Sequence, residues 1–462
     1  MNDLIIPLNI NSKEPLYEQI YQYIKEEIKN GSLPFHGRLP STRALAKHMQ
    51  VSRSTIDMAY AQLTAEGYLE AVPYKGYFVA QIDELFLSKK QQGKIEKKPE
   101  TEQEACLYDF SPRGIDLQSF PYNIWRKLTK NTLIDNNKEL FELGDPRGDN
   151  TLREIICQYL HQARGVNCSP EQIIIGAGNE YLLMRLSQLL PNSCQIAMEN
   201  PTYRQAYRIL KGLGHKIVPI SMDEYGMDIN QLKKSNALVS YVMPSHQFPL
   251  GIVMPIKRRM ELLAWAEEEE RYIIEDDYDS EFRYRGKPIP SLQGVDTKDR
   301  VIYIGTFSKS IAPAIRLSYM VLPNSLLKQY KQFNYYSSTV SRIDQNIMES
   351  FIRDGHFERH LNRMRAIYKA KHDTILGELK EWKKFSISGE NAGLHLLLQE
   401  KGGRSERELV ELAKKKEVRV YGLSEYYITN VEKEHKTIIL GYANMAEEEI
   451  KEGVRRLKEA WK

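Results

Sequence analysis

Cysteine is scarce in this chain: four residues in 462, at Cys106, Cys157, Cys168 and Cys194. None forms a Cys-x-x-Cys pair and none has a zinc-ligand spacing to histidine, so a disulfide framework and a structural metal are not expected, and the thiols are read as reduced. Long apolar runs are missing too. No stretch approaches the roughly 20 apolar residues of a membrane span, and residues 1–11 lack the basic and apolar regions of a secretory signal. Nor is there an excess of one charge. The formal net charge is only +4, so overall charge announces no polyanion partner. These absences describe an expected cytoplasmic protein without membrane contact. Length predicts about three domains, and the apolar content suffices for sizeable cores.

Residues 81–106 interrupt the pattern with Lys, Glu and Gln, including Lys89, Lys90, Gln91, Gln92, Lys97 and Lys98. A solvated linker is expected there, able to reach roughly 80 Å when extended. Before it, residues 1–80 read as one unit. Leu16, Ile20, Ile24 and Ile28 recur at i, i+4 over a helix at 15–30, Ser41 caps a second helix, and Ser52 caps a third ending at Gly67. Two short strands, 68–72 and 76–80, turn at Pro73-Tyr74-Lys75-Gly76. Three helices and a hairpin predict a winged helix-turn-helix. After the linker, strands at 172–175, 195–198, 216–220, 239–243, 272–275, 301–304 and 318–322 alternate with helices such as 180–190, 203–212 and 256–270. That alternation predicts a large α/β domain within 107–462, followed from about residue 350 by a small α+β domain.

The start of the third helix carries Arg53, Ser54 and Thr55, where a recognition helix meets the major groove. Hydroxyls and helix N–H groups hold phosphates, and arginine reaches a guanine edge. Arg43 on the second helix and Lys75 at the wing tip are placed for backbone contacts. Residues 1–80 hold eight Lys/Arg and eight Asp/Glu. With so little excess charge, binding to double-stranded DNA is expected to need a dimer. A three-helix protein-interaction module would show the same pattern.

Further along, an apolar run at 301–304 leads into Gly305-Thr306-Phe307-Ser308-Lys309-Ser310, with Pro313 and Arg316 beyond. A lysine at the end of a buried strand, beside hydroxyls and an arginine, suits a Schiff-base amine next to a phosphate. Three other segments supply what pyridoxal phosphate needs. Asp276 and Tyr278, after the strand at 272–275, offer a carboxylate for the pyridine nitrogen and a hydroxyl for the ring oxygen. An acidic loop or a divalent-metal site would show the same acids, but without nearby phosphate-motif glycines no metal is expected. Gly176-Ala177-Gly178-Asn179 runs from strand to helix and presents backbone N–H groups to a phosphate, to which Ser308 and Arg316 add a hydroxyl and a guanidinium. Tyr203, in Asn200-Pro201-Thr202-Tyr203, is placed to stack on the ring, or to be a core residue at a helix start.

Leu39-Pro40-Ser41-Thr42-Arg43-Ala44-Leu45-Ala46, Val51-Ser52-Arg53-Ser54-Thr55 and Leu63-Thr64-Ala65-Glu66-Gly67-Tyr68-Leu69 closely resemble the GntR family of winged-helix repressors. The resemblance covers 15–80 and implies that Arg43, Arg53, Ser54 and Thr55 touch DNA. Asp57 stands where several members carry a phosphate-binding arginine, and is not counted as a contact. From about 108 onward the segments resemble a fold-type I aminotransferase, with Asp145-Pro146-Arg147-Gly148, Pro244-Ser245-His246-Gln247-Phe248-Pro249-Leu250-Gly251 and Asn391-Ala392-Gly393-Leu394-His395 as further matches. Joined, the two halves resemble the MocR/GabR family of transcriptional regulators. The resemblance implies a head-to-tail, domain-swapped homodimer and an internal aldimine at Lys309. It places cofactor contacts at Gly178, Asn179, Tyr203, Gln247, Asp276, Tyr278, Ser308 and Arg316. It also implies a small-molecule effector that changes how the heads grip DNA.

One departure bears on that effector. The arginines that fix a ligand carboxylate in GabR-like proteins correspond here to Gln205 and Asn444, and Arg204 is expected to turn away from the site. Each lost hydrogen bond to a charged group costs ~1.5–3 kcal/mol, which argues against γ-aminobutyrate. The expected signal is pyridoxal phosphate itself, reporting vitamin B6 status, or an amine held differently. A transaminase with an accessory DNA-binding domain is the alternative, and efficient turnover is not expected.

Overall fold

A computed structural model of the chain describes residues 6–9, 12, 14–81, 106–134, 138–284, 289–333, 337–429 and 436–462. The expected linker therefore lies almost wholly outside the described residues. The chain divides into two compact units, Met1–Glu102 and Gln103–Lys462.

In the first unit α1 (Leu16–Lys29) buries Ile20, Ile24 and Ile28, the stripe expected of i, i+4 spacing. Helix α2 (Thr42–Met49) begins at Ser41, whose Oγ accepts the Ala44 N–H at 3.2 Å. Helix α3 (Arg53–Ala65) begins at Ser52, whose Oγ accepts the Thr55 N–H at 3.1 Å. Strands β1 (Leu69–Val72) and β2 (Gly76–Val79) form an antiparallel hairpin with Leu69 opposite Val79. Leu45, Ile56, Tyr60, Leu63 and Leu69 close a core around the α1 stripe. The result is a winged helix-turn-helix.

The second unit opens with β3 (Tyr108–Asp109), α4 (Tyr122–Ile134) and α5 (Asn150–Arg164). Then β4 (Ile173–Gly176), α6 (Asn179–Leu189), β5 (Gln195–Asn200), α7 (Arg204–Gly212) and β6 (Lys216–Asp223) follow in βα succession. The chain continues through β7 (Gly226–Met227), α8 (Ile229–Lys234), β8 (Val239–Val242), α9 (Ile256–Glu268), β9 (Tyr272–Asp277), β10 (Val301–Thr306), β11 (Ser318–Val321) and α10 (Asn324–Tyr330). The strands build one eight-stranded sheet in the order β4-β11-β10-β9-β8-β5-β6-β7. Neighbours from β10 to β6 pair in parallel, and β11 runs antiparallel to both its neighbours. Central strands such as β8 and β10 are buried along their whole length, as crossover helices on both faces require.

Helices α11 (Arg342–Arg353) and α12 (His356–Leu379) lead to the smaller domain. There β12 (Phe385–Ser388), β13 (His395–Glu400), α13 (Glu406–Lys414), β14 (Val418–Arg419), β15 (Tyr421–Gly422), β16 (Thr437–Gly441) and α14 (Glu447–Ala460) surround a third core. Its antiparallel sheet runs β12-β13-β16-β15. One piece comes from far away in sequence. β3 pairs in parallel with β14, and Phe110 sits in the small-domain core. The fold is that expected, a large α/β layer with a small α+β domain.

Candidate cofactor pocket and DNA-binding face

A cavity of about 200 Å³ opens beyond the carboxyl ends of the sheet strands, where α/β sheets hold ligands. Its walls include Asn179, Tyr203, Asp276, Tyr278, Ser308, Lys309 and Arg316. Four strand ends thus bring seven of the expected cofactor residues together. Pro112, Arg113, Glu180, Met243, Phe248, Thr306 and Pro313 complete the lining. Gln247 is not among these residues. Its amide donates to Pro201 O and Phe248 O, both at 2.9 Å, so it braces the loops that carry Tyr203 and Phe248.

Lys309 follows the buried strand β10, and its Nζ donates to Pro112 O at 3.2 Å. Burial pushes the amine down to about 8, Asp279 opposing this and Arg113 adding to it. Near neutral pH a useful fraction is therefore the uncharged nucleophile. Below it, Thr306 Oγ1 accepts from the Ser308 N–H at 3.2 Å and from Ser318 Oγ at 2.9 Å, which fixes the turn into the lysine.

The acids of β9 lie within the strand, and its two-residue period separates them. Glu275 accepts the N–H groups of Leu292 and Gln293, both at 2.8 Å. Asp277 accepts Arg164 Nε at 2.7 Å and the Tyr303 hydroxyl at 2.5 Å. Asp276 points the other way, into the cavity. Among the described residues these three carboxylates form no converging metal cluster. Burial raises Asp276 to about 7, against the hydrogen bond from the Tyr241 hydroxyl. Asn179 Nδ2 donates to its other oxygen at 3.3 Å. A buried carboxylate of this kind suits a protonated ring nitrogen, which would restore it to the ionised form.

The anion cradle is the start of α6. Gly178 has φ 95°, and a Cβ there would stand 2.2 Å from Arg316 Nη2, so only glycine lets the guanidinium approach this backbone. The side chain of Asn179 leaves Oδ1 buried without a hydrogen-bond partner among the described residues. These features fit a phosphorylated pyridine. Glu180 is a further neighbour, 2.6 Å from Arg316 Nη2. Tyr278 does not stand alone: its hydroxyl lies 3.0 Å from His246 Nδ1, which is 2.9 Å from Asp279 Oδ2.

On the helical unit, Arg43, Arg53, Ser54 and Lys75 are exposed and Thr55 is half-buried. Ser52 Oγ contacts Ser54 Oγ at 2.8 Å and Thr55 Oγ1 at 2.7 Å, a hydroxyl cluster at the N-terminus of α3. Arg53 Nε pairs with Asp57 Oδ2 at 3.4 Å, one helical turn on.

Residues 16–79 match the family "Bacterial regulatory proteins, gntR family", and residues 116–457 match "Aminotransferase class I and II". The chain is 42% identical to the HTH-type transcriptional regulator YdeL of Bacillus subtilis, over 98% of each protein. It is 30% identical to the probable rhizopine catabolism regulatory protein MocR of Rhizobium meliloti, over 99% of this chain and 96% of that protein. The chain belongs to the MocR/GabR family of transcriptional regulators. Its body also superposes on the kynurenine aminotransferase of Pyrococcus horikoshii, solved in complex with PMP, with a TM-score of 0.69 and 25% identity. That match covers 77% of this chain and 91% of the other.

The geometry shows what surrounds Gln205 and Asn444, the positions where carboxylate-fixing arginines are expected in such a regulator. Gln205 does not line the cavity. Arg204 turns away as expected: its Nη1 donates to Tyr427 O at 2.6 Å and its guanidinium covers Tyr207. Asn444 donates to Asp109 O at 3.0 Å, and a Cβ on Gly114 would lie 2.5 Å from its Oδ1. The asparagine thus holds the 109–114 segment in place. That segment delivers Arg113, which lines the cavity and makes no hydrogen bond or ion pair among the described residues. Sequence reasoning missed Arg113, Tyr241, His246 and Glu180. A hydroxyl inside the apolar run of β8 was the one readable signal, for Tyr241. The rest come from contacts distant in sequence.

Proposed function

We propose that this regulator senses pyridoxal phosphate held covalently through Lys309, and passes occupancy of the cavity to its DNA-binding head. The observation that carries the reading is one cavity that unites a depressed lysine amine, a buried carboxylate and a glycine-built anion cradle. When bound, the cofactor supplies an aldehyde and an electron-accepting ring. Lys309 provides the neutral amine, and Asp276 holds a proton at the ring nitrogen with Tyr241 and Asn179 behind it. Tyr203 covers the ring, while Ser308, Arg316 and the α6 N–H groups take the phosphate. Tyr278 is the candidate donor to the ring oxygen. The DNA contacts are assigned to Arg43, Arg53, Ser54, Thr55 and Lys75.

The working form is a cytoplasmic homodimer, head-to-tail and domain-swapped, since one head has too even a charge for tight DNA binding. Its parts are the head at 1–80, a charged linker at 81–106 and the body at 107–462. Efficient transamination is not part of this reading, because Gln205 and Asn444 leave the usual carboxylate anchors absent.

Arg113 favours a second reading, in which the effector is an amine that also carries an anionic group. An unpaired guanidinium near Lys309 gives that group a charge-assisted partner.

Both readings are tested on the full chain by titrating pyridoxal phosphate, then amines with and without a carboxylate. Visible absorbance and retardation of a fragment from the protein's own promoter region are followed together. Colour that moves with DNA affinity and is lost in Lys309→Ala supports the first reading. Operator binding and promoter output unchanged in that variant would sink it. Carboxylate-selective effects abolished by Arg113→Gln support the second reading. Rapid loss of colour to common amino acids would favour a transaminase.

A further inference from the structure

At α5, which contributes no residue to the cavity lining, three ligand atoms meet that no sequence spacing announced. Cys157 and His161 stand one helical turn apart on α5. The chain then reverses through Gly165, at φ 65°, and brings Cys168 back to them. Cys168 Sγ lies 3.9 Å from Cys157 Sγ, Cys157 Sγ lies 3.7 Å from His161 Nε2, and all three atoms fall within 4.8 Å of one another. Both thiols are buried, and the imidazole is exposed.

Those separations can be compared with a metal's demands. Zinc bonds of about 2.3 Å to sulfur and about 2.05 Å to nitrogen, at tetrahedral angles, give a sulfur–sulfur edge of about 3.8 Å and a sulfur–nitrogen edge of about 3.5 Å. Both measured edges agree to within about 0.2 Å. Two edges of a coordination face are thus already in place, and the third, between Cys168 Sγ and the His161 ring, is held within 4.8 Å. The imidazole is exposed, so solvent can reach the group to supply a fourth ligand.

We propose that Cys157, His161 and Cys168 bind a thiophilic divalent cation, Zn²⁺, with water as the fourth ligand. Binding releases two thiol protons to the buffer and forms two metal–thiolate bonds and one metal–imidazole bond, with no change of oxidation state. It also exchanges existing contacts. Cys157 Sγ now donates to Cys168 O at 3.2 Å, and His161 Nε2 lies 2.8 Å from the same carbonyl. The site's place in the fold gives it a purpose. Three residues beyond His161, Arg164 ends α5 and grips Asp277 Oδ2 at 2.7 Å and Ser245 Oγ at 2.8 Å. A cation tying α5 to the 165–168 turn would stiffen the support behind β9, the strand that carries Asp276.

The test uses the reduced, metal-free full chain titrated with Co²⁺, then with Zn²⁺. The expected result is one equivalent of Co²⁺ per chain. Co²⁺ binding should release two protons and bring up the visible bands of a tetrahedral site and a near-ultraviolet thiolate-to-cobalt band, and Zn²⁺ should then displace the metal and bleach the bands with no further proton release. Cys157→Ser should abolish the thiolate band. His161→Ala changes an exposed side chain, so it keeps the test valid if the cysteine variant fails to fold, and it should weaken Co²⁺ binding at least tenfold. A folded wild-type chain without a thiolate band would overturn the proposal. So would a band that survives Cys157→Ser, or isolation of the two thiols as a disulfide that metal does not prevent.

Discussion

Arg316 Nη2 donates to Glu180 Oε2 at 2.6 Å, so the guanidinium facing the Gly178 cradle is already held by a carboxylate. Burial works to raise Glu180, but Arg316 and the backbone keep it below the usual carboxylate range. An arriving phosphate therefore meets an anion beside its intended partner. Glu180→Gln should tighten pyridoxal phosphate binding by up to about fivefold, since a partly exposed pair contributes up to about 1 kcal/mol. Absorbance titration checks this. Unchanged or weaker binding would show that the carboxylate does not compete.

Colour formation should depend on pH through Lys309. Only the neutral amine attacks the aldehyde, and its value sits at about 8. The second-order rate should climb about tenfold per pH unit below that value and level off above it. Stopped-flow absorbance across pH 6 to 10 gives the profile. Arg113→Gln removes a neighbouring positive charge and should move the bend upward. A wild-type rate still climbing steeply at pH 10 would mean the amine is not depressed.

Stability of the cofactor-free body should fall as pH rises. Glu275, Asp276 and Glu281 are each raised to about 7, in every case chiefly by burial. A carboxyl with a higher value in the folded state binds its proton more tightly there. Its contribution is complete below the unfolded value near 4 and is lost as pH climbs through about 7. The melting temperature should thus drop by several degrees between pH 5.5 and 8. Asp276→Asn should flatten the slope, and so should bound cofactor. Scanning calorimetry at the two pH values decides it.

Much of this was readable before folding, for identifiable reasons. Lys309, Asp276 and Gly178 sit at strand ends, and strand ends are marked by apolar runs that stop abruptly. Ser41 and Ser52 announce their helices because a capping hydroxyl has one geometry to satisfy. Arg113 gave no signal, since its approach to the cavity depends on β3 pairing with β14, more than 300 residues away. Gln247 misled in the opposite sense: its motif sits at the site, but its amide is consumed by the carbonyls of Pro201 and Phe248. The Cys157, His161 and Cys168 group stayed hidden because a turn at Gly165 sets its spacing, and no repeating motif does.

On the DNA face the informative residue is Asp57. It pairs with Arg53 at 3.4 Å, and both side chains are largely exposed, so the pair itself contributes only about 0.3–0.5 kcal/mol. Its larger effect is on the ligand, because a carboxylate on the recognition helix repels phosphate. Asp57→Asn should therefore raise operator affinity severalfold and leave base preference intact. Arg53→Ala should cost about 1–3 kcal/mol and relax discrimination at one base position, the signature of an edge contact. Lys75→Ala should weaken all sequences alike and lower the slope of log affinity against log salt by about 0.9 per head, as expected for one phosphate contact. Fluorescence anisotropy with operator and scrambled duplexes, across a salt series, separates the three. If Arg53→Ala instead behaves like Lys75→Ala, the arginine touches phosphate, and sequence must be read elsewhere on α3.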